Sequence, residues 1–407
     1  MSLLTLPTEI LHRILDNLDI HSILVSFRRV CSRFYTITES YHRYELNLCS
    51  MSRSDIKLAF HLVQPENVIS LVLTNQWQME DKNKLFFEYY KKEKQFHQIR
   101  SLTVNEVASG FFEQLLQFVA NCPLSSVAIH THESWLMSRI PGQLASILNP
   151  FKIRKLNLSN FNYLLDQILW TQLSTLHHLT LEKCTYPEYR TILSALPDLK
   201  TLLIKDCMMK DNEQQQTLRQ SYRQLTSLTI SDGRLSMDGI KFLVSQTPSL
   251  VYLKLGWSRP ELDSIFDGAV WEEFIENSLT SLTKFEFLFS STKISVNDVF
   301  PDVDALIDAF RTPFWLNNKR CFVTCDYNIA RKMINLYTTP IRFTPNDDLS
   351  KSIVTSPDPS IVIRWRISST DASCSPTLVW TNGMFDITAT NVGSFPGGIV
   401  IACSSLI

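Results

Sequence analysis

The chain has 407 residues, of which 44 % are hydrophobic and 19 % charged, so it has ample material for a core and is long for one domain. Its 39 basic and 40 acidic side chains give a net charge of -1, which excludes the strong positive charge of a general nucleic-acid-binding protein. Only 10 residues are glycine, and the glycine-rich phosphate-binding motifs GxGxxG and GxxxxGK are absent. We therefore expect no nucleotide cofactor and none of the common nucleotide-dependent activities.

Nine cysteines are scattered along the chain without a CxxC pair, which favours reduced thiols and a cytoplasmic or nuclear location over a disulfide framework. The N-terminus lacks the basic segment of a secretory signal, and no run of 18 apolar residues predicts a membrane span. The pairs His130 with His132, His177 with His178, and Cys321 with Cys325 lack further ligands at metal-binding spacing. Neither a membrane partner nor a metal site is expected.

Three short apolar segments with helical spacing follow one another between residues 7 and 37. Pro7 suits the first turn of a helix, in which the apolar residues Ile10, Leu11, Ile14, Leu15 and Leu18 recur every three or four positions. Two further segments, 20–27 and 30–37, have similar spacing. Because three short helices make a thin core, we expect an apolar face that needs a partner. The spacing alone is equally consistent with a helical cap on a larger domain.

The residues of these segments resemble the F-box family. LPTEIL at 6–11, IL at 14–15 and VCSRFY at 30–35 follow the family pattern over nearly every position. The resemblance implies a three-helix module over residues 1–46 that docks on the Skp adaptor and, through it, on the cullin and RING subunits of a ubiquitin ligase. It places the following residues in the module core or on the adaptor face, and we take them as the candidate adaptor site: Leu6, Pro7, Ile10, Ile14, Leu18, Leu24, Val30, Cys31 and Phe34. The sequence departs from the family after the third helix, where tyrosines stand in place of a common tryptophan.

A second pattern, LxxLxL, recurs along the rest of the chain. Copies begin at Ile99, Leu124, Ile153, Leu176, Leu199, Leu225, Leu250 and Leu282, with a further copy before them at Val68. From the copy at Ile99 onward their fourth positions lie 23 to 32 residues apart, and most of these spacings are typical of leucine-rich repeats. Segments with helical spacing lie between the copies at 111–120, 163–170, 189–196, 237–244 and 270–275. Strand, loop and helix units of this kind stack into a solenoid, although an ordinary α/β domain remains an alternative.

Strand side chains alternate, so the fourth and sixth residues of each copy are expected to point inward and the third and fifth outward. One outward column is then Ser101, Ser126, Lys155, His178, Thr201, Ser227, Tyr252 and Lys284. The other is Thr103, Ala128, Asn157, Thr180, Leu203, Thr229, Lys254 and Glu286. Most of these residues are small, and four larger ones are our candidates for target contact: Lys155, His178, Tyr252 and Lys254. A solvated sheet face with no partner has the same appearance.

The C-terminal part contains a predicted helix at 302–310 and a predicted strand at 320–326, which complete a solenoid over residues 47–348. Residues 349–407 differ in composition, since serine and threonine supply 16 of the last 56 residues and 361–367 alternates like a strand. This tail could be a small β element, a disordered segment or an aberrantly translated end.

These observations predict an α/β protein, with a small N-terminal three-helix F-box followed by a leucine-rich-repeat solenoid of parallel concave strands and outer helices. The function implied by the resemblance is that of a substrate receptor in an SCF-type ubiquitin ligase, which binds the Skp adaptor and an unknown target protein. Such a receptor has no catalytic residues and acts by proximity. Two alternatives are an interaction scaffold with no ubiquitin-ligase role and an unrelated enzyme in a divergent α/β domain. The absence of catalytic signatures argues against the enzyme.

Overall fold

The structure is a computed structural model that describes residues 3–74, 80–90, 96–106, 109–131, 144–145, 147–161, 165–209, 220–233, 235–291, 303–328, 333–339, 364–366, 377–381 and 384–388. The chain forms two compact units. Unit 1 consists of Met1–Leu253 with Leu279–Leu282, and unit 2 consists of Lys254–Ser278 with Thr283–Ile407. The boundaries expected from the sequence, at residues 46 and 348, stay a prediction.

Unit 1 begins with the three helical segments expected from the sequence. Helix α1 (Thr8–Leu15) starts directly after Pro7, which is the residue that precedes its first turn. The second segment is a π turn (Ser22–Ser26) followed by a 3-10 turn (Phe27–Arg29), and the third is helix α2 (Ser32–Glu39). The rings of Phe27 and Phe34 stack at 4.2 Å and join the second segment to α2.

Eight parallel strands follow in sequence order, each paired with the next. They are β1 (Tyr44–Asn47), β2 (Val68–Thr74), β3 (Ser101–Asn105), β4 (Ser126–His130), β5 (Lys155–Ser159), β6 (His178–Thr185), β7 (Thr201–Met208) and β8 (Ser227–Gly233). The LxxLxL copies from Val68 to Leu225 therefore form the strands that the sequence predicted. Strand β1 was not predicted, and it shows that the sheet begins within residues 1–46, the segment that resembles the F-box.

The strands are aligned so that equivalent residues of successive copies are register partners. Leu102, Val127, Leu156, Leu179, Leu202 and Leu228 form one continuous row, and all are buried. The residues between the inward positions are exposed or half-buried, as in β5 and β6. The predicted alternation of inward and outward side chains is therefore confirmed in this unit.

Helices connect most of these strands. They are α3 (Arg53–Leu62), α4 (Glu80–Tyr90), α5 (Ser109–Phe118), α6 (Tyr186–Ala195) and α7 (Met237–Ser245). The helix predicted at 163–170 is wrong, since the described residues there form two 3-10 turns, Leu165–Gln167 and Trp170–Leu173. In an α-helix the Leu165 carbonyl would accept a hydrogen bond from residue 169. Here the Trp170 indole N–H donates to it at 3.1 Å, and the helical ladder is broken.

Unit 2 contains most of β9 (Tyr252–Arg259), helix α8 (Gly268–Ser278), β10 (Lys284–Ser291) and helix α9 (Val303–Asp308). Its next two strands are β11 (Phe322–Asn328) and β12 (Met333–Thr339). Strand β12 was not predicted. It lies between β10 and β11 and pairs antiparallel with both, so the parallel pattern does not continue here. The core is aromatic, with the rings of Phe287 and Phe289 stacked at 4.5 Å and Trp271 parallel to Phe289.

The described part of the tail adds three short strands to unit 2. Strand β13 (Arg364–Arg366) pairs parallel with β11, while β14 (Thr377–Thr381) and β15 (Met384–Thr388) form an antiparallel pair. The first of these lies within the stretch 361–367 that alternates in the sequence. Of the three possibilities for the tail, the strands correspond to the small β element.

Substitutions in one strand test the register of the sheet. Leu179→Ala removes a buried side chain and should lower the free energy of unfolding by about 2–5 kcal/mol. Thr180→Ala, at the next position on the outward side, should change it by no more than about 0.5 kcal/mol. Urea unfolding followed by circular dichroism measures both. Equal losses for the two variants would mean that the strand is shifted by one residue.

Candidate functional site

Helix α1 has two apolar stripes, and the structure buries only one of them. Leu11 and Leu15 are fully buried against the rest of the module. The second stripe consists of Ile10, Ile14 and, just after the helix, Leu18, in which Ile10 and Leu18 are each 39 % exposed. The core of the module uses only the first stripe of α1, so the second stripe is an exposed apolar face. An exposed apolar face of this kind is typical of a docking surface.

The exposed stripe is part of a larger group. Among the described residues, nine large hydrophobic side chains are exposed, and six of them lie within residues 3–35. We call these six the apolar patch: Leu3, Leu4, Ile10, Leu18, Val30 and Tyr35. Val30 is the most exposed, at 65 %. Single exposed hydrophobic residues are ordinary in proteins, whereas this concentration in one small module is not.

The candidate adaptor residues separate into three groups. Pro7, Ile10, Leu18 and Val30 are exposed, and Leu6, Ile14 and Cys31 are half-buried. Leu24 and Phe34 are 3 % and 4 % exposed, so they belong to the core of the module, which is one of the two places that the resemblance allowed. Contact of the other seven with an adaptor stays a prediction. Sequence reasoning did not select Leu3, Leu4 and Tyr35, although an apolar pair shortly before Pro7 was visible.

Two arginines hold the module together around this patch. The Arg33 guanidinium donates to the carbonyls of Leu4 and Leu6, the latter at 2.6 Å, and so ties the N-terminal turn to α2. Arg28 forms an ion pair with Glu39 at 2.5 Å and lies over the ring of Tyr35 at 4.5 Å. The side chains that flank the patch are thereby fixed in place before any partner binds.

An open depression lies beside the patch, between the second helical segment, α2 and the end of α3. It is lined by Leu24, Arg28, Arg29, Cys31, Ser32, Tyr35 and Leu62. Its walls combine the exposed ring of Tyr35 with two arginines, of which Arg29 is exposed. A partner side chain placed here would meet both apolar and cationic groups.

The two tyrosines that replace the usual tryptophan form the base of the module. Tyr41 and Tyr44 are both buried and meet edge to face at 4.8 Å. The Tyr41 hydroxyl donates to Asp16 at 2.9 Å, and the Tyr44 hydroxyl donates to the carbonyl of Thr38 at 2.8 Å. Burial raises the pKa of Tyr41 above its usual range and raises the pKa of Tyr44 to about 12.

The candidate target residues lie on the sheet. Lys155 and His178 are exposed register neighbours on β5 and β6. Tyr252 is half-buried at the end of unit 1, where its backbone N–H donates to Thr226. Lys254 belongs to unit 2, and its ammonium lies 3.9 Å from the carboxylate of Glu286. Within unit 1 the structure therefore brings Lys155 and His178 together, and target contact by any of the four stays a prediction.

Asn160, at the end of β5, connects two neighbouring repeats. Its backbone is left-handed, with a φ of 62°, which asparagine tolerates better than most residues. Its side chain donates to the carbonyl of Thr131 at 3.1 Å, and its backbone N–H donates to Glu182 at 2.7 Å. The side-chain amide of Asn160 therefore stabilises the turn after the strand.

No helix in the described ranges has the length and apolar character needed to cross a membrane. Nor do the described residues contain a cluster of three or more His, Cys, Asp or Glu side chains arranged for a metal ion. Of the histidine pairs considered from the sequence, His130 and His132 cannot be compared because His132 lies outside the described residues.

The raised pKa of Tyr44 makes stability depend on pH in alkaline solution. Because the folded-state pKa lies above the unfolded value of about 10, the stabilisation is complete below pH 10 and is lost as pH rises toward about 12. Tyr44→Phe should cost about 1 kcal/mol at neutral pH, for the lost hydrogen bond, and should reduce the loss of stability between pH 10 and 12. Urea unfolding at several pH values measures this, with Tyr35→Phe as the exposed control. Parallel curves for Tyr44→Phe and the wild type would contradict the assignment.

Comparisons with known proteins agree with the N-terminal geometry. The model of the F-box domain matches residues 3–46, and F-box domains generally bind a Skp adaptor. A crystal structure of the leucine-rich-repeat-containing protein LegL7 from Legionella pneumophila aligns with 65 % of this chain and 96 % of its own, at 17 % identity and a TM-score of 0.40. A search of curated proteins gave no match. Residues 3–46 therefore match the F-box domain, and the strands that follow them contain the LxxLxL phrase that is typical of leucine-rich repeats.

Proposed function

We propose that this protein is the substrate-recognition subunit of an SCF-type cullin-RING ubiquitin ligase. The F-box domain binds the Skp adaptor, and the repeats bind a target protein. The chain performs no chemistry itself, and it raises the effective concentration of target lysines near the ubiquitin-loaded enzyme.

The apolar patch is the observation that supports this proposal most directly. Ile10, Leu18 and Val30 are both implied by the F-box resemblance and exposed to solvent. An apolar group of this kind on a small helical module gains stability when a partner removes it from water. The polar interactions of Arg28 and Arg33 keep the surrounding helices in place, so little ordering is required when the adaptor binds.

The sheet supports the second half of the proposal. Its strands hold their outward side chains at fixed positions, because the inward residues between them are fully buried. A solenoid with this construction offers an extended surface of variable residues on a constant frame. Lys155 and His178 are the candidate contact residues that lie side by side on this surface.

Adaptor binding tests the proposal. The double variant Ile10→Glu and Val30→Glu places two charges in the apolar patch without disturbing buried residues. Its affinity for purified Skp adaptor, measured by calorimetry, should fall at least about thirtyfold, which corresponds to about 2 kcal/mol. Leu169→Glu is the matched control, since Leu169 is 54 % exposed and lies outside the F-box domain. The control should bind like the wild type.

Two results would contradict this function. A folded wild-type chain that does not bind the adaptor would leave the N-terminal helices as a structural cap. Adaptor binding without assembly on the cullin and RING subunits, assayed by ubiquitin transfer to the chain itself, would favour the interaction scaffold. Circular dichroism on each variant shows whether a loss of binding reflects the surface or the fold.

A further inference from the structure

Basic side chains gather along one edge of the sheet in unit 1. The residues that immediately precede β3, β5, β6 and β7 are Arg100, Arg154, His177 and Lys200, and the next residues on β5 and β6 are Lys155 and His178. We call these six residues the basic row. The arginines, the lysines and His178 are exposed, and His177 is half-buried. In a chain whose net charge is -1, this is a local concentration of positive charge.

The backbone fixes the spacing of the row. The carbonyl of Arg154 accepts hydrogen bonds from both His177 and His178, at 2.9 and 3.0 Å. The carbonyl of His177 in turn accepts from Lys200 and Thr201, at 2.9 and 3.0 Å. Neighbouring strands lie about 4.8 Å apart, so the row from Arg100 to Lys200 extends over about 19 Å.

The four permanent cations of the row form no ion pair with any residue that the structure describes. Asp198 is the nearby acidic residue in sequence, and it too is exposed and without an ion pair there. The opposite ends of the same strands differ, because Lys205 pairs with Glu182 at 3.7 Å and Glu182 also accepts a hydrogen bond from Asn160. The carboxyl-terminal halves of β6 and β7 thus hold one ion pair, whereas the four permanent cations of the basic row have none among the described residues.

The environment of His178 agrees with this. Partial burial, followed by the charges of Lys155 and His177, lowers the pKa of His178 below its ordinary value. Burial is the larger cause, and the contribution of Lys155 and His177 places their charges close to the His178 ring. The permanent charges of this edge are those of Arg100, Arg154, Lys155 and Lys200.

We infer that the basic row binds a carboxylate-rich segment of the target protein, one with several Asp or Glu side chains along an extended stretch. Separated cations in a line suit separated carboxylates, whereas a single phosphate is held best by donors that converge on one point. The adjoining outward residues Thr103, Asn157 and Thr180 offer no aromatic platform for stacking nucleic-acid bases. The inference rests on the proposed function, since it names the class of target that the repeats recognise.

Binding of labelled peptides to the full-length chain, followed by fluorescence anisotropy, tests the inference. The probe is a short peptide of alternating Glu and Ser, compared with its Gln counterpart, a peptide with one phosphoserine, and a single-stranded oligonucleotide. The Glu peptide should bind saturably and more weakly as salt is added, and the Gln peptide should not bind. Equal binding of the Gln peptide, or tighter binding of the phosphopeptide or the oligonucleotide, would overturn the inference.

Charge reversal locates the site. Arg154→Glu with Lys200→Glu should weaken binding of the Glu peptide at least about tenfold, because like charges then face the carboxylates. Arg53→Glu with Lys57→Glu makes the same change in charge on exposed residues of α3 and should have no effect. If both double variants weakened peptide binding equally, the binding would depend only on the net charge of the protein, and the assignment to the basic row would be wrong.

Adaptor binding, measured on the same variants, keeps the two proposals apart. The Arg154 and Lys200 variant should bind the Skp adaptor like the wild type, and its circular dichroism spectrum shows whether the repeats are folded. If the wild type binds the adaptor and not the Glu peptide, the inference fails and the proposed function stands. If it binds the peptide and not the adaptor, the proposed function fails.

Discussion

Each strand from β2 to β8 buries at least two aliphatic side chains on the inner face of the sheet, and the neighbouring strands and the connecting helices complete their burial. Leu179 and Leu181 of β6, for example, are each 1 % exposed between equivalent residues of β5 and β7. No repeat could achieve this alone, so the repeats stabilise one another in sequence order. The requirement fixes the register, and the register in turn decides which side chains face solvent and which residues meet across strands.

The F-box domain is joined to this sheet without a linker. Tyr44 and Leu46 lie within the F-box match and also within β1, where both are buried. Tyr41 and Tyr44 also form the base of the helical module. The same short segment therefore belongs to the core of the helical module and to the first strand of the sheet. In the proposed complex, this connection would hold a target at a set distance from the adaptor, which is what transfer by proximity requires.

The periodicity of the sequence predicted most of this fold because the apolar positions of the LxxLxL phrase are the positions that are buried in the structure. It missed β1 and β12, which do not contain the phrase, and it predicted a helix at 163–170 where the indole of Trp170 captures a backbone carbonyl. The site was harder to predict. Spacing alone cannot say which of two apolar stripes on α1 is buried, and Ile10 and Leu11 are equivalent in the sequence. The basic row escaped notice because Arg154 and Lys200 precede their strands, outside the columns that alternation defines.

The parallel ladder also has a metric consequence. Successive strands repeat every 4.8 Å or so, whereas an extended peptide returns a side chain to the same face about every 6.7 Å. Because these two spacings differ, a side chain of the peptide lies close to a strand of the sheet only at about every third strand. A peptide segment that lies across β3 to β7 could therefore place only a few of its side chains opposite outward residues of the sheet. The side chains between them would make no such contact, so a surface of this kind tolerates many different residues at those positions of the bound segment.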